Sequence, residues 1–486
     1  MSPKKAKMAR LIAADEWRLM RRNRVAMLGL IMLLALSVIA ALTSIAQRDN
    51  SDAIRARFQA QADLAFDGAP ARHPHRMVHY GHFVFRPLPA LAAFDPGVDA
   101  FTGNTIYLEG HRQNSANFGD VRQSSLLVRF GQLSPAFVLQ ALAPLMLIFI
   151  GFGIVARERE RGTVRQLFAH GVTARRLLVG KTLGLGSIAA VMLAPGALAL
   201  GWLVAAEGAP LLPSLMLLSG YAAYLAIWVL LIIIASSLVA HARTALMALI
   251  GIWAFTVILL PRIAPDVALA SNPALTRLET DIAIQEDLRR MGDSHNPDDP
   301  FFTAFKERTL KQYGVEKVED LPVNYGGLLA VEGEALTSKL FDDYANKQFA
   351  AQKAQSGLKD TVGLISPTIA LRRLSMSSSG TDLEGHRLFL AQAEAYRFAI
   401  IQQLNQLQAT EITYADDRNR NKDPEAGKRV RIDPKNWKSV PDFRYQAASI
   451  PDQLRTALPG LLILSGWLLA LGFGLRLATG RLRAAA

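Results

Sequence analysis

The chain contains no cysteine, so disulfides and thiolate-bound zinc are excluded. It also has no glycine-rich phosphate-binding loop. Gly180-Lys181-Thr182 ends like such a loop, but Arg175 stands where the motif requires glycine, and no strand precedes it. Any ATP hydrolysis is therefore expected in a separate polypeptide. No nucleophile–base pair, carboxylate dyad or metal-ligand spacing stands out either, so we expect neither an enzyme nor a bound cofactor.

Charged residues are scarce in six long apolar stretches of the 486-residue chain. Each has roughly 20 residues, and the shortest, 245–261, has 17; a helix of about 17–25 residues crosses a ~30 Å hydrocarbon core. These stretches are 25–46, 134–155, 177–205, 214–240, 245–261 and 456–475. The sequence thus predicts an α-helical integral membrane protein with six transmembrane helices. The first stretch is predicted to be an uncleaved anchor, because its apolar core is longer than that of a signal peptide.

The charge of the chain, +13 in total, is distributed unevenly. Lys and Arg exceed Asp and Glu in 1–24, 156–181 and 476–486, whereas the long connections 47–133 and 263–455 are close to neutral. Because positive charge beside a span marks the cytoplasmic side, we predict cytoplasmic termini and extracytoplasmic long connections. The basic excess flanks apolar spans, so no nucleic-acid partner is expected.

The predicted organisation alternates membrane and water-exposed segments. Before the first span, apolar residues share a helical face among Lys and Arg, which predicts a helix lying on the inner leaflet. The predicted segments are an interfacial helix (1–24), a transmembrane helix (25–46), a small mixed α/β outer segment (47–133), four transmembrane helices (134–262), a larger, mainly helical outer domain (263–455), a transmembrane helix (456–477) and a cytoplasmic tail (478–486).

Apolar residues at helical spacing predict four helices in the second outer segment. They are expected near 272–292, 300–313, 328–356 and 383–410. The polar, basic stretch 415–445 is interpreted as a loop.

Four histidines occur within ten residues, from His73 to His82. Clustered imidazoles bind zinc or copper readily, so a metal site is one interpretation. However, no cysteine and few acids lie nearby to complete a closed site. The alternation of Val78, Tyr80, His82 and Val84 also predicts a strand, with His79 on the opposite face from His82. We therefore predict structural roles for these histidines and no metal that is needed for folding.

A strongly charged hairpin, 156–176, connects the second and third apolar stretches. Val164, Leu167 and Phe168 fall at i, i+3 and i+4, which would give a narrow apolar helix face that fits a partner groove. A solvated, positively charged loop is the alternative interpretation.

The hairpin resembles the coupling region of ATP-binding-cassette type-2 permeases. The resemblance also includes Glu16-Trp17 with Arg21-Arg22, and it covers all six apolar stretches; Val172 lacks the proline that usually precedes it there. The residues that carry it in the hairpin are Glu158-Arg159-Glu160-Arg161-Gly162-Thr163, Leu167-Phe168-Ala169, Val172-Thr173-Ala174-Arg175-Arg176 and Gly180-Lys181. The resemblance implies a cytoplasmic ATPase partner, a second permease subunit in a homodimer or heterodimer, and coupling roles for Glu158, Arg159, Glu160, Gly162, Thr163, Val164, Leu167 and Phe168.

Two outer stretches are similar to a subfamily of these permeases that has extracytoplasmic inserts after the first and fifth spans. They are His79 to Gly97, which ends in the turn sequence Asp95-Pro96-Gly97, and Ser366 to Phe389, which contains Gly380-Thr381-Asp382. The resemblance implies a multi-pass exporter subunit in a bacterial inner membrane. The alternative is a non-transporting, ATP-driven factor that acts on a periplasmic partner in maturation or signalling, for example of a copper enzyme.

Overall fold

The computed structural model describes residues 3–116, 133–292, 296 and 299–484, and it is mainly helical. Six helices in the described part of the chain are long and apolar enough to cross a membrane, and we call them the first to sixth spans. They are Arg24–Asp67, Pro135–Glu160, Ala174–Ala206, Leu211–Leu238, Ala242–Ser271 and Ile450–Arg483. Each of the six predicted stretches lies in, or largely within, one of these helices, so their prediction is confirmed.

The first span does not end near residue 46, where the sequence predicts the start of the outer segment. Its helix continues without interruption to Asp67 and has 44 residues, which corresponds to about 66 Å at 1.5 Å per residue. That is roughly twice the thickness of a hydrocarbon core. The outer segment therefore begins as a continuation of the first span.

Two spans contain a short π-helical segment just before a proline. Val138–Leu142 comes before Pro144 in the second span, and Ala254–Leu259 comes before Pro261 in the fifth. Proline has no N–H to donate to the preceding turn, so the regular hydrogen-bond ladder is interrupted there.

The amino-terminal helix, Pro3–Arg22, packs along the third span. A Cβ atom added at Gly180 would lie 2.6 Å from Cβ of Ile12, and one at Gly184 would lie 2.9 Å from Cβ of Glu16. These two glycines, four residues apart, therefore allow close helix packing, and the amino-terminal helix is the partner.

The first outer segment contains a short helix, Pro74–Val78, and a two-stranded antiparallel sheet. Strand β1 (His82–Phe85) pairs with β2 (Thr105–Leu108), and His82 is opposite Leu108. A further short helix (Asp99–Thr102) and a 3₁₀ turn (Ala90–Ala93) complete the described part. The predicted strand is confirmed at His82 and Val84 and wrong at Val78 and Tyr80. Proline at the first helical position favours a helix over Pro74–Val78, and the strand begins only at His82.

The second outer segment is helical, as predicted, although its boundaries differ. The helices are Arg277–Met291, Pro300–Tyr313, Tyr325–Gly363, Pro367–Ser379, Leu383–Glu411, Tyr414–Asn419, Pro424–Arg429 and Lys435–Lys438. The predicted loop 415–445 is wrong in part, because three short helices lie there. Pro424–Arg429 has an acidic N-cap, Asp423, which accepts the backbone N–H of Glu425. Asp433, two residues before Lys435, accepts the backbone N–H of Lys435.

The two outer segments share their hydrophobic cores. In one core, Phe66, Met77 and Val78 pack with Ile400, Ile401, Leu404 and Trp437, and in the other Val84 and Ile106 pack with Phe389. Backbone pairing between Arg72 and Ile432 joins them further. The segments that the sequence treats as separate therefore form one folded body, which we call the outer unit.

Candidate coupling site

The coupling hairpin (156–176) consists of two short helices, Ala156–Glu160 and Thr163–Ala169, and the start of the third span. Gly162 lies between the two helices with φ +72°, and Gly171 ends the second with φ +80°. Both angles are in the left-handed region, which residues other than glycine adopt at a cost. The hairpin therefore turns sharply at Gly162.

Glu158 of the hairpin contacts a buried cation, the ammonium group of Lys181. Nζ of Lys181 donates to Glu158 and, over 2.5 Å, to Oε1 of Glu16 on the amino-terminal helix. The side chain of Lys181 is only 3% exposed. Burial raises the pKa of the Glu16 carboxyl, and the Lys181 ammonium opposes that shift. This ion cluster joins the amino-terminal helix, the hairpin and the third span.

Arg159 and Glu160 bind the connection between the fourth and fifth spans. Nη1 of Arg159 donates to the carbonyls of Ser237 (2.9 Å) and Val239 (3.0 Å), where the fourth span ends. Oε1 of Glu160 accepts the backbone N–H of Ala242 over 2.7 Å, where the fifth span begins. These are favourable pairings, because a cation meets the carbonyl end of one helix and an anion meets the amide end of the next.

The hairpin is also held at its base. Oγ of Ser236 accepts the backbone N–H groups of Val155 (3.0 Å) and Ala156 (3.1 Å), so the fourth span caps the helix that opens the hairpin. Together with the preceding contacts, this means that the charged residues at 158–160 connect the hairpin to other membrane helices of the same chain.

The apolar residues predicted to dock a partner differ in their exposure. Val164 is 2% exposed and belongs to the main hydrophobic core of the chain. Leu167 and Phe168 pack against the same core but remain partly exposed. The side chains of Arg165 and Gln166 face outward. In this structure Val164 is covered by the chain itself, so the surface available to a partner consists of Leu167, Phe168 and the polar residues beside them.

The fourth span carries two tyrosines that bind an outer helix, Pro367–Ser379, which we call the junction helix. Oη of Tyr221 lies 2.9 Å from Oγ of Ser375, and Oη of Tyr224 lies 3.0 Å from Oγ1 of Thr368. All four residues are fully buried. The junction helix packs between the fourth and sixth spans, so the outer unit is inserted into the membrane-helix bundle at this point.

Gln140, in the π-helical segment of the second span, completes the junction. Its Nε2 donates to Oη of Tyr221 over 2.7 Å, and its Oε1 accepts from Arg372 of the junction helix over 3.2 Å. Its carbonyl stands four residues before Pro144, which has no N–H, and accepts the hydroxyl of Tyr224 over 2.8 Å. The second span, the fourth span and the junction helix thus share one buried polar network.

The two outer stretches that are similar to the permease subfamily contact each other. Asp95, at the predicted Asp95-Pro96-Gly97 turn, accepts the hydroxyl of Ser375 and the backbone N–H of Gly97. Burial raises the pKa of Asp95, and those two hydrogen bonds oppose the shift. Gly97 has φ +50°, and a Cβ atom there would meet the carbonyl oxygen of Thr381 at 2.3 Å. These residues therefore form the contact that joins the first outer segment to the junction helix.

Glu16 and Lys181 belong to separate sequence motifs, and no pattern in the sequence joins them. The buried network of Gln140, Tyr221 and Ser375 is likewise not predicted from the sequence. Two local features do point to it: Gln140 is polar within an apolar stretch, and Pro144 follows four residues later. Its partners lie 81 and more residues away, so the contacts themselves are not visible in the sequence.

Comparison with known families gives one match. A family described as a domain of unknown function (DUF3526) matches residues 277–446, about a third of the chain. The matched range includes the junction helix and most of the outer unit, whereas all six spans lie outside it. A comparison with curated proteins finds no match.

Proposed function

We propose that this chain is the membrane-spanning permease subunit of an ATP-binding-cassette transporter of the exporter type, driven by a separate cytoplasmic ATPase that docks on the coupling hairpin. The main observation in favour of the proposal is that the hairpin is attached to three of the membrane-length helices. Gly162 turns it sharply, while Glu158, Arg159 and Glu160 attach it to the third, fourth and fifth spans. A docking element has to be fixed to the helices that it moves. The resemblance of the hairpin to the coupling region of type-2 permeases supports the same assignment.

The fourth span would transmit the motion of the hairpin. Ser236 and Ser237 bind the hairpin at one end of this helix, and Tyr224 binds the junction helix twelve residues earlier. Twelve residues of α-helix extend about 18 Å, so one rigid element connects the two contacts. ATP-driven displacement of the hairpin would then displace the junction helix, and with it the outer unit.

The orientation follows from the distribution of charge. We place both termini and 156–176 in the cytoplasm, and 47–133 and 263–455 outside, in a bacterial inner membrane. We further infer a second permease subunit, in a homodimer or a heterodimer, since the resembling permeases act in pairs. A periplasmic partner would meet the outer unit.

The packing of the junction helix also favours a second candidate function. This helix lies between the fourth and sixth spans and belongs to the outer unit, so motion can reach the outside without a substrate crossing the bilayer. The chain would then be a non-transporting, ATP-driven factor that acts on an extracytoplasmic partner. ATP-dependent movement of the outer unit in sealed vesicles, with no solute exported, would favour this candidate.

Phe168→Ala tests the docking surface. Full enclosure of such a side chain contributes about 1.5–3 kcal/mol, and Phe168 is already partly covered, so we expect at most about a 10- to 100-fold loss of affinity for the ATPase. Co-purification and titration in lipid nanodiscs measure it. The matched control is Phe101→Ala, an exposed phenylalanine of the outer unit, which should leave affinity unchanged.

Gly162→Val tests coupling separately from docking. A branched side chain at φ +72° strains the turn, so we expect an assembled complex whose ATP hydrolysis no longer moves the outer unit. Gly208→Val is the control: Gly208 has φ +67° and equally open surroundings, but it lies in the connection between the third and fourth spans. If Phe168→Ala and Gly162→Val both retain wild-type assembly and coupled turnover, the hairpin is only a solvated loop.

A further inference from the structure

Three histidines of the first outer segment come together at the seam with the second. They are His75, His79 and His111, and one ligand nitrogen from each lies within 4.8 Å of the other two. His75 is half-buried and His79 is exposed, so the cluster opens to solvent on one side. The sequence places only two of the three close together, because His111 follows 32 residues after His79.

Local geometry explains how the cluster forms. His75 and His79 are separated by one helical turn on the short helix Pro74–Val78 and its cap, so their rings lie on one face. Gly110 then brings the third ring near: its N–H donates to the carbonyl of Val78 over 3.1 Å, and a Cβ atom there would meet Cγ1 of Val78 at 2.2 Å. Only glycine allows this approach, and His111 is the next residue.

The distances suit a metal ion. Nε2 of His75 lies 3.3 Å from Nε2 of His79. Two nitrogens bound at 2.0–2.1 Å to one tetrahedral ion are about 3.3 Å apart, so this pair needs no rearrangement. The third nitrogen lies within 4.8 Å of the other two, so it has to move closer by about 1.5 Å at most.

His111 is held in place from behind by the second outer segment. Its Nδ1 lies 3.3 Å from Oε2 of Glu334, which also accepts the backbone N–H of His111 over 3.2 Å. Glu334 is fully buried and pairs with Arg397 over 2.6 Å. A carboxylate on one ring nitrogen directs the other toward a metal, which is the usual arrangement behind a histidine ligand. His111 also has φ +61°, the only positive φ of a non-glycine residue in the described part of the chain.

Of the four histidines in the run 73–82, His75 and His79 belong to this cluster. The other two histidines of the run have different partners: His73 contacts Asp417, and His82 contacts Asp63 and stacks on Phe66. Those two have the structural roles that the sequence predicts for the whole run.

We propose that His75, His79 and His111 bind one divalent, nitrogen-preferring transition-metal ion of the zinc class, with the fourth position open to solvent. Three imidazoles and no carboxylate among the ligands favour such an ion over Mg²⁺ or Ca²⁺. The open position leaves a coordination site for water or for a group of an extracytoplasmic partner. Bound metal would also tighten the seam between the two outer segments, because His111 is attached to Glu334.

The experiment measures zinc binding to the full-length chain, purified in detergent without a polyhistidine tag and stripped with chelator. We expect one Zn²⁺ per chain by calorimetry, and Co²⁺ as a spectroscopic substitute should give the intense visible absorption of a tetrahedral site. His79→Ala and His111→Ala should each abolish stoichiometric binding. His79 is exposed, so its replacement should not disturb folding. His170→Gln, an exposed histidine of the coupling hairpin, is the matched control and should bind like wild type.

Glu334 is a positioning residue in this proposal, and its variant gives a different result. Glu334→Gln should keep one Zn²⁺ per chain but raise the Kd roughly 10- to 100-fold, since it loosens His111 without removing a ligand. Wild type that binds no stoichiometric Zn²⁺, or His79→Ala and His111→Ala variants that bind it as wild type does, would overturn the proposal.

Discussion

Lys181 is a single buried cation that meets two carboxylates from different parts of the chain. Its side chain is 3% exposed, while those of Glu16 and Glu158 are 11% and 22% exposed. A buried charge is tolerated only when it is paired, so each member depends on the others. The ion cluster lies at the contact between the amino-terminal helix and the hairpin, so its loss should destabilise both elements.

Lys181→Met should destabilise the protein by about 3–5 kcal/mol, because two carboxylates are left close together without their cation. Thermal and denaturant unfolding in detergent measure the change. Arg175→Met, at an exposed position near the start of the same helix, should change stability little. Adding Glu158→Gln to Lys181→Met should restore part of the loss; a double variant no more stable than the single one would show that charge repulsion is not the cause.

Asp417 is the corresponding buried charge of the outer unit. It accepts hydrogen bonds from Asn324 and Gln408 (both 2.9 Å), and His73 contributes a contact of 3.1 Å. Burial alone would raise its pKa, but these contacts, that of His73 first, together hold the pKa well below the usual value. The folded state therefore favours the ionised carboxylate.

The stability of the outer unit should consequently decrease when the pH becomes acidic. The contribution of Asp417 is present above the pKa of an unfolded aspartate, about 3.9, and is lost as the pH falls through the lowered folded pKa. Asp417→Asn should remove this dependence and cost about 1–3 kcal/mol at neutral pH. Unfolding is followed by the fluorescence of Trp437, the one tryptophan of the two outer segments, with the others changed to Phe. Asp281→Asn, at an exposed carboxylate, should leave the profile unchanged.

The fourth span is the element that contacts the coupling hairpin at one end and the junction helix near its middle. Its face toward the bundle is almost continuously buried, with Tyr221, Tyr224 and Trp228 fully enclosed. Polar groups at such depth are costly unless they are satisfied, and Gln140, Ser375 and Thr368 provide partners for the two tyrosine hydroxyls. The register between this span and the junction helix is therefore well specified.

Tyr221→Phe should destabilise the contact between the fourth span and the junction helix. Removing the hydroxyl leaves Nε2 of Gln140 and Oγ of Ser375 each without one buried partner, at a cost of about 1–3 kcal/mol. Tyr313→Phe, on an exposed part of the outer unit, is the control and should be near neutral. The free energies of unfolding are compared in one detergent. Equal stability of the two variants would mean that the junction does not depend on this hydroxyl.

The whole molecule consists of a bundle of membrane-length helices and an outer unit built from two distant stretches of chain. The continuous first span enters the outer unit directly, and the junction helix returns from it into the bundle. Bundle and outer unit are thus connected by rigid helices as well as by loops. That construction suits a protein in which force passes from one side of a membrane to the other.

Cysteine labelling tests the proposed orientation, and the cysteine-free chain gives no background. Arg165→Cys in the hairpin should react with an impermeant maleimide only after the cells are opened. Lys422→Cys in the outer unit should react in intact cells; both positions are exposed. Labelling of residue 165 from outside, with none at residue 422, would reverse the orientation.

Local physical chemistry accounts for the features that the sequence predicts correctly. Six apolar stretches of membrane length form helices, because a helix satisfies its own backbone groups. Pro300 and Gly314 bound a helix at the predicted residues, since each acts on the backbone beside it. Gly162 allows the hairpin to turn for the same local reason.

Only the tertiary structure shows which residues that are distant in the sequence contact each other. Glu16 and Lys181 are 165 residues apart, Asp95 and Ser375 are 280 apart, and His73 and Asp417 are 344 apart. A buried charged or polar side chain requires a partner, but the sequence does not identify that partner. These pairs therefore cannot be predicted from the spacing of residues along the chain. The fusion of the two outer segments, the burial of Val164 and the approach of His111 to His75 and His79 follow from packing between distant surfaces. The periodicity of apolar residues identifies which surfaces are buried, but not which of them pack together.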